Sequence, residues 1–158
     1  MRLTRRDVNL REDYAALLQM DRQSSAINFP GEAFYEASFR SSLDAGLRFH
    51  RIVLYEQEGV LAGWLWLDLN GAFRGAHIRH LQVTESLWGQ GIGKEIIDDA
   101  IEICLANGRT HITLNVTKSN LRAVTLYEGM GFYVDKDNGE RQHMRLDLFD
   151  ADHSIDAY

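Results

Sequence analysis

The spacing of apolar residues along this chain predicts seven strands and four helices. Alternation with a period of two, rich in β-branched and aromatic residues, predicts strands over residues 2–7, 51–55, 60–69, 76–83, 110–116, 132–134 and 142–148. Apolar side chains three and four positions apart predict helices over residues 10–21, 32–43, 92–106 and 120–128.

Turn-forming residues divide these segments. Asn28 and Pro30 disfavour a helix over residues 24–31, and the Asn107-Gly108 pair ends the third helix as a left-handed cap. Ser119 is placed to cap the fourth helix. The resulting order is strand, two helices, three strands, helix, strand, helix and two strands, which predicts a mixed α/β layer fold.

Length and composition are typical of one globular domain. The chain has 158 residues, of which 45% are hydrophobic and 25% are charged. No low-complexity linker interrupts it, so we expect a single domain over residues 1–148, followed by an acidic tail over residues 149–158.

Charge and cysteine content narrow the classes of partner. The net charge of −6 is opposite in sign to the basic balance of most nucleic-acid-binding domains. The single Cys104 excludes an intramolecular disulfide and a multi-cysteine metal site. The longest apolar run, residues 60–67, is too short to cross a bilayer, and no signal-peptide pattern is visible. We therefore expect a cytoplasmic protein with no nucleic-acid partner, no membrane partner and no metal.

Residues 81–94 combine a strand, three alternating glycines and the start of a helix. Gly89, Gly91 and Gly93 let the backbone approach a ligand closely, and the first amides of a helix lack acceptors within the helix. This arrangement is typical of an anion site. A tight strand-to-helix connection that binds nothing explains the same residues.

Two familiar nucleotide-binding loops are disfavoured by particular residues. A Walker A loop needs a glycine where Trp88 stands and Ser or Thr where Glu95 stands. A Rossmann fingerprint needs its third glycine where Lys94 stands, and it usually opens the first βαβ unit.

Two stretches in the second half resemble the GCN5-related N-acetyltransferase (GNAT) superfamily. LQVTESLWGQGIGKEII resembles its acetyl-coenzyme A motif, Q/R-x-x-G-x-G/A, and NVTKSNLRAVTLYEGMGF resembles its N-x-x-A-x-x-x-Y-x-x-x-G-F helix. The second motif is matched by Asn120, Ala123, Tyr127, Gly131 and Phe132. The resemblance covers residues 76–134 and implies a mostly antiparallel, twisted sheet with splayed central strands and flanking helices.

The resemblance implies acetyl-coenzyme A as cosubstrate, with its pantetheine arm along the strand before the turn. The implied binding residues are Leu81, Gln82, Val83, Trp88, Gly89, Gln90, Gly91, Ile92, Gly93, Lys94, Asn120, Ala123 and Tyr127. Trp88 departs from the motif, because the family usually has Gln or Arg there. Gln90 is the candidate to replace that contact in part, and Asn120 has helix capping as an alternative role.

The resemblance also implies catalytic residues. Tyr127 matches the general acid that protonates the leaving thiolate, and a phenol with a pKa of about 10 keeps its proton at pH 7. His77 stands where some relatives carry a glutamate that acts as the general base, and imidazole titrates near neutrality. His80, Glu85 and a water chain are alternative bases. Asn115 replaces a glutamate of other relatives and cannot accept a proton. A core tyrosine and a structural histidine are the alternative interpretations.

These features predict an enzyme that transfers the acetyl group of acetyl-coenzyme A to a primary amine of a small molecule or peptide. Transfer would occur by direct attack in a ternary complex, because Cys104 lies on an apolar helix stripe and is predicted to be core. A non-catalytic acetyl-coenzyme A binding module is the alternative. The aromatic residues Phe34, Tyr35, Trp64 and Trp66 either line an acceptor pocket or pack in the core, and core packing is the preferred interpretation. The family also suggests a homodimer.

Overall fold

A seven-stranded sheet organises the chain in the computed structural model, which describes residues 2–148. The strands are β1 (Thr4–Arg6), β2 (Arg51–Gln57), β3 (Val60–Asp68), β4 (Gly75–Val83), β5 (His111–Thr117), β6 (Tyr133–Asn138) and β7 (Arg141–Asp147). The helices are α1 (Leu10–Asn28), α2 (Glu36–Phe49), α3 (Ile92–Ala106) and α4 (Leu121–Gly129). The predicted order of elements is confirmed, and the predicted acidic tail lies outside the described residues.

The central strands of the sheet diverge. The strand order is β1-β2-β3-β4-β5-β7-β6, and only β4 and β5 are parallel neighbours. Their pairing ends at Ile78 and Leu114, although β4 continues to Val83 and β5 to Thr117. Within residues 2–148, residues 79–83 of β4 therefore have no strand partner on the β5 side. This confirms the prediction of a mostly antiparallel sheet with splayed central strands.

Alternating residues of the sheet feed two apolar cores on its opposite faces. Val53 and Leu65 pack with α3, whereas Leu54 and Trp64 pack with α1 and α2. Cys104 is fully buried in the α3 core, and burial raises the pKa of its thiol to about 12, which agrees with its predicted packing role. Within residues 2–148, none of the helices is both long and apolar enough to cross a membrane.

The first helix extends two turns beyond its predicted end, so the predicted break is wrong for residues 24–28. Asn28 Nδ2 donates to the carbonyl of Ser24 (3.0 Å), and Thr117 Oγ1 donates to the carbonyl of Asn28 (3.2 Å). Contacts with distant β5 thus stabilise residues of weak helix propensity. Pro30 follows the helix, as its missing N–H requires.

The second helix is shifted relative to its prediction, beginning at Glu36 and ending at Phe49. Gly46 lies inside it, where glycine is normally unfavourable. A Cβ at this position would collide with the indole ring of Trp66, so the glycine lets α2 lie directly on that ring. Sequence propensity alone cannot reveal such a contact.

Candidate functional site

A cleft of about 380 Å³ opens where β4 and β5 diverge. It is lined by the splayed ends of β4 and β5, by the glycine turn (residues 89–91) with the start of α3, by one face of α4 and by the end of α1. It brings together the predicted residues Leu81, Gln82, Val83, Trp88, Gly89, Gly91, Ile92, Gly93, Lys94, Asn120, Ala123 and Tyr127. Of the predicted cofactor-binding residues, Gln90 is the exception, because it does not line the cleft and its carbonyl accepts a hydrogen bond from Arg2 (2.8 Å).

The glycine turn leaves backbone donors free at the start of α3. Gly89 and Gly91 both have a φ of +80°, in the left-handed region that favours glycine. Gly91 is the N-cap residue and has no side chain to cap the helix. The first amide to bond back is that of Glu95, to the carbonyl of Gly91 (3.2 Å). The amides of residues 92–94 therefore remain available to an anion.

Trp88, which departs from the family motif, positions a cation that sequence reasoning missed. Its indole Nε1 donates to the carbonyl of Val83 (2.9 Å). The guanidinium carbon of Arg122 lies 3.2 Å from the centre of its ring, within the range of a cation–π interaction. Arg122 belongs to the first turn of α4 and lines the cleft. The sequence signal that could have identified Arg122 was its position between Asn120 and Ala123 in the matched motif.

Asn120 caps α4 and also ties it to α1. Its side-chain oxygen accepts from the amide of Ala123 (3.4 Å), and its Nδ2 donates to Asn28 Oδ1 (3.1 Å). The N-cap residue is therefore Asn120, and the prediction that Ser119 caps this helix is wrong. The capping alternative for Asn120 is confirmed, while its contact with a cofactor stays a prediction.

The end of α1 crosses the cleft and bonds its β4 side. Gln23 Nε2 donates to Glu85 Oε2 (2.6 Å), and Gln82 Nε2 donates to the carbonyl of Met20 (2.6 Å). Gln23, Ser24, Ile27, Asn28 and Phe29 line the cleft. The sequence did not identify these residues as part of the site, because it favours a break in the helix there. Glu85, an alternative base, is occupied by Gln23 and does not line the cleft.

Tyr127 is a buried phenol in the wall of the cleft. It lies on α4, is 8% exposed and packs against Phe132, with 5.7 Å between the ring centroids. Burial raises the pKa of its hydroxyl to about 12. The group therefore keeps its proton at neutral pH, as a donor to a departing anion must.

His77, the predicted base, does not line the cleft. Its Nδ1 lies 2.7 Å from Thr113 Oγ1, and its ring stacks on that of His143 with 6.3 Å between centroids. Burial lowers the pKa of His77. These contacts turn the imidazole towards β5 and β7, and they give it no access to the cleft.

Among the histidines of residues 2–148, His80 lines the cleft. Its ring stacks on Trp64 (5.3 Å between centroids), and its Nδ1 lies 3.5 Å from Asp21 Oδ1. Burial lowers the pKa of His80 to about 4 and raises that of Asp21 to about 6. At neutral pH the pair therefore consists of a neutral imidazole, one nitrogen of which can accept a proton, beside a carboxylate.

The predicted aromatic set divides between core and surface. Trp64 and Trp66 are 0% and 2% exposed, which confirms core packing for both. Phe34 and Tyr35, with one side of Trp66, line a separate hollow next to His80.

Comparison with known proteins decides the family. The model of the Acetyltransferase (GNAT) family matches residues 14–132, which include both motifs and the whole cleft apart from Arg141. This chain belongs to the GNAT family.

Curated relatives of this GNAT protein are matched over part of their length. A mycothiol acetyltransferase of Jonesia denitrificans is 30% identical over 83 residues, which are 52% of this chain and 26% of that protein. The N-acetyltransferase 8B of Rattus norvegicus is 38% identical over 53 residues, 34% of this chain and 24% of that protein. The matches thus span about a quarter of each relative.

Solved structures resemble this GNAT protein along nearly all of the chain. An acetyltransferase of the GNAT family from Staphylococcus aureus has a TM-score of 0.78 at 14% identity, covering 93% of this chain and 99% of that one. The spermidine N-acetyltransferase from Vibrio cholerae, solved with CoA and spermine, has a TM-score of 0.72 at 22% identity, covering 93% and 96%. At these identities the likeness shows the shared fold.

Proposed function

We propose that this protein transfers the acetyl group of acetyl-coenzyme A to a primary amine. The observation that carries the proposal is the cleft between the diverging strands β4 and β5. One cavity there combines an unpaired strand edge, free helix amides and a protonated phenol. Acetyl-coenzyme A, when bound, would supply the thioester whose carbonyl carbon the amine attacks.

Several groups of this chain suit the parts of that cosubstrate. The amides of residues 92–94 and the guanidinium of Arg122 would hold the pyrophosphate, since both favour negative charge. The open edge of residues 79–83 would bond the amides of the pantetheine arm as an added strand does. Open space lies in front of Gly89 and Gly91, where an added Cβ would meet nothing within 4 Å.

His80 is the proposed base. An alkylammonium has a pKa of about 10.4, so forming the neutral amine at pH 7 costs about 4.6 kcal/mol. His80 lines the cleft with a neutral ring whose free nitrogen can accept this proton, and the Asp21 carboxylate 3.5 Å away would offset the cost of the imidazolium that burial disfavours. The geometry favours His80 over His77, because contacts with Thr113 and His143 direct His77 elsewhere.

Tyr127 is the proposed acid. As the nitrogen–carbon bond forms and the carbon–sulfur bond breaks, the Tyr127 hydroxyl would give its proton to the departing sulfur. The proton still on the new amide nitrogen would then restore the phenol. The balance is one ammonium and one thioester consumed, with one amide, one thiol and one proton released.

Calorimetric titration with acetyl-coenzyme A, followed by measurement of thiol release over a panel of amines, tests the proposal. We expect saturable binding that excess ATP does not displace, and thiol release with at least one class of amine. Binding without thiol release on any amine would instead support a non-catalytic binding module. If ATP displaced the bound ligand and coenzyme A itself did not bind, both the acetyltransferase and the binding module would be overturned.

A further inference from the structure

A second hollow, of about 290 Å³, adjoins the cleft. It lies between α1, the α1–α2 connection, α2, β3 and β4, and its lining includes Asp21, Phe34, Tyr35, Trp66 and His80. His80 and Arg79 line both spaces. A molecule held in the hollow therefore has one end at the proposed base, where the cleft begins.

The walls of the hollow are largely aromatic. Phe34, Tyr35 and Trp66 supply ring surfaces, and Tyr35 remains 68% exposed instead of packing into the core. Ser38 and Ser42, one helical turn apart on α2, are short enough to leave the space between the rings open. Such a surface favours an apolar or aromatic group over a fully hydrated chain.

Charge is distributed unevenly around the hollow. The Asp21 carboxylate, whose side chain is 15% exposed, lies at the His80 end. Two guanidiniums lie against the aromatic walls, with Arg79 Cζ 5.1 Å from the Trp66 ring and Arg22 Cζ 4.8 Å from the Phe34 ring. Arg22 is paired with Glu36 (3.8 Å). Within residues 2–148, Arg79 is therefore the unneutralised cation on these walls that repels a second ammonium, and Asp21 is the anionic position that the lining offers.

We propose that this hollow is the acceptor site and that it takes a primary monoamine bearing an aromatic or bulky apolar side group. This inference rests on the proposed acetyl transfer. Asp21 attracts the ammonium to His80, and the rings hold the side group. The proton of the ammonium passes to His80, and the freed amine faces the cleft, so the hollow determines which amine reacts.

Steady-state kinetics with phenethylamine, butylamine and spermidine tests the inference. We expect kcat/KM for phenethylamine to exceed that for the other two amines by at least about 10-fold, as an added apolar group contributes in a fitting pocket. A preference for spermidine would overturn the inference.

Two matched variants locate the site. Ser42→Trp places a large ring in the hollow, whereas Ser41→Trp places it on the exposed neighbouring position of α2, which does not line the hollow. We expect Ser42→Trp to raise the KM for phenethylamine about 10-fold or more, with the Kd for acetyl-coenzyme A unchanged, and Ser41→Trp to leave both constants unchanged. Calorimetric binding of phenethylamine to the coenzyme A complex should weaken in parallel.

The outcomes separate this inference from the proposed function. Turnover that responds equally to both tryptophan variants would overturn the acceptor site while leaving acetyl transfer standing. Absence of turnover with every amine would overturn the proposed function, and unimpaired phenethylamine binding by Ser42→Trp in the same titration would separately overturn the acceptor site.

Discussion

The guanidinium of Arg122 lies over the ring of Trp88, with Cζ 3.2 Å from the ring centre. This contact joins the first turn of α4 to the residue just before the glycine turn. The family motif usually places Gln or Arg at the position of Trp88, and here a cation from α4 lies against that position. The bond from the indole to the carbonyl of Val83 fixes the ring beneath it (2.9 Å).

Replacing the cation should weaken binding of the phosphate end of acetyl-coenzyme A. For Arg122→Gln we expect the Kd to rise about 10-fold, because a charge-assisted contact of about 1.4 kcal/mol is lost. Acetyl-pantetheine, which lacks the pyrophosphate, should bind Arg122→Gln and the parent protein alike. Arg48→Gln is the matched control, since Arg48 lies 5.4 Å from the ring centre of Phe49 and does not line the cleft.

Trp88 should act through Arg122. If the ring serves to position the guanidinium, Trp88→Ala and Arg122→Gln should each weaken binding of acetyl-coenzyme A, and the double variant should be little weaker than either single one. Calorimetry on all four proteins measures this coupling. Additive losses would show that the two residues bind independently.

The glycine turn should tolerate no side chain without a change in binding. Gly91 has a φ of +80°, and Gly59 in the β2–β3 turn has a φ of +79°, each with open space in front of it. Alanine at either position should lower the free energy of unfolding by roughly 1–2 kcal/mol, because a Cβ is strained in this conformation. Urea unfolding measures that cost.

Affinity distinguishes the two glycines. Only Gly91→Ala should also raise the Kd for acetyl-coenzyme A, since a change of φ there would redirect the amides that follow. Equal affinities of the two alanine variants would show that the turn does not contact the ligand.

Local patterns were sufficient to predict much of the fold, whereas contacts between distant segments were not. The apolar stripe of α3 and the left-handed glycines were recognisable because each depends on neighbouring residues. The end of α1 depends on Thr117 and the length of α2 on Trp66, and no local rule includes them. Asp21 and His80 meet through long-range structure as well, namely the pairing of β3 with β4, a bulge beside Trp66 and the course of α1. For this reason the sequence indicated His80 only as an alternative base.

Removing the Tyr127 hydroxyl should slow turnover without changing cosubstrate binding. We expect Tyr127→Phe to lower kcat roughly 100-fold, at the lower end of general acid catalysis, with the Kd for acetyl-coenzyme A unchanged. Tyr133→Phe is the control, because Tyr133 donates to Asp147 (2.8 Å) and does not line the cleft. Unaltered turnover of Tyr127→Phe would remove the phenol from its role as acid.

Asp21 and His80 should make opposing contributions to the pH dependence of stability. The pKa of Asp21 rises on folding from 3.8 to about 6. Its contribution to the free energy of unfolding is therefore present below pH 3.8 and is lost as pH rises through about 6. The pKa of His80 falls from 6.5 to about 4, so its contribution is present above pH 6.5 and is lost as pH falls through about 4. Each amounts to about 3 kcal/mol at most.

Single variants should therefore reveal two opposite slopes of the free energy of unfolding against pH, which nearly cancel in the parent protein. Relative to the parent, Asp21→Asn should gain free energy of unfolding as pH rises from 4 to 7, because the cost of an ionised, buried carboxylate is removed. His80→Gln should lose it over the same range, and the double variant should show little change. Urea unfolding at a series of pH values measures the three differences. Slopes of the same sign for the two single variants would contradict the opposed pKa shifts, and with them the neutral imidazole that the proposed base requires.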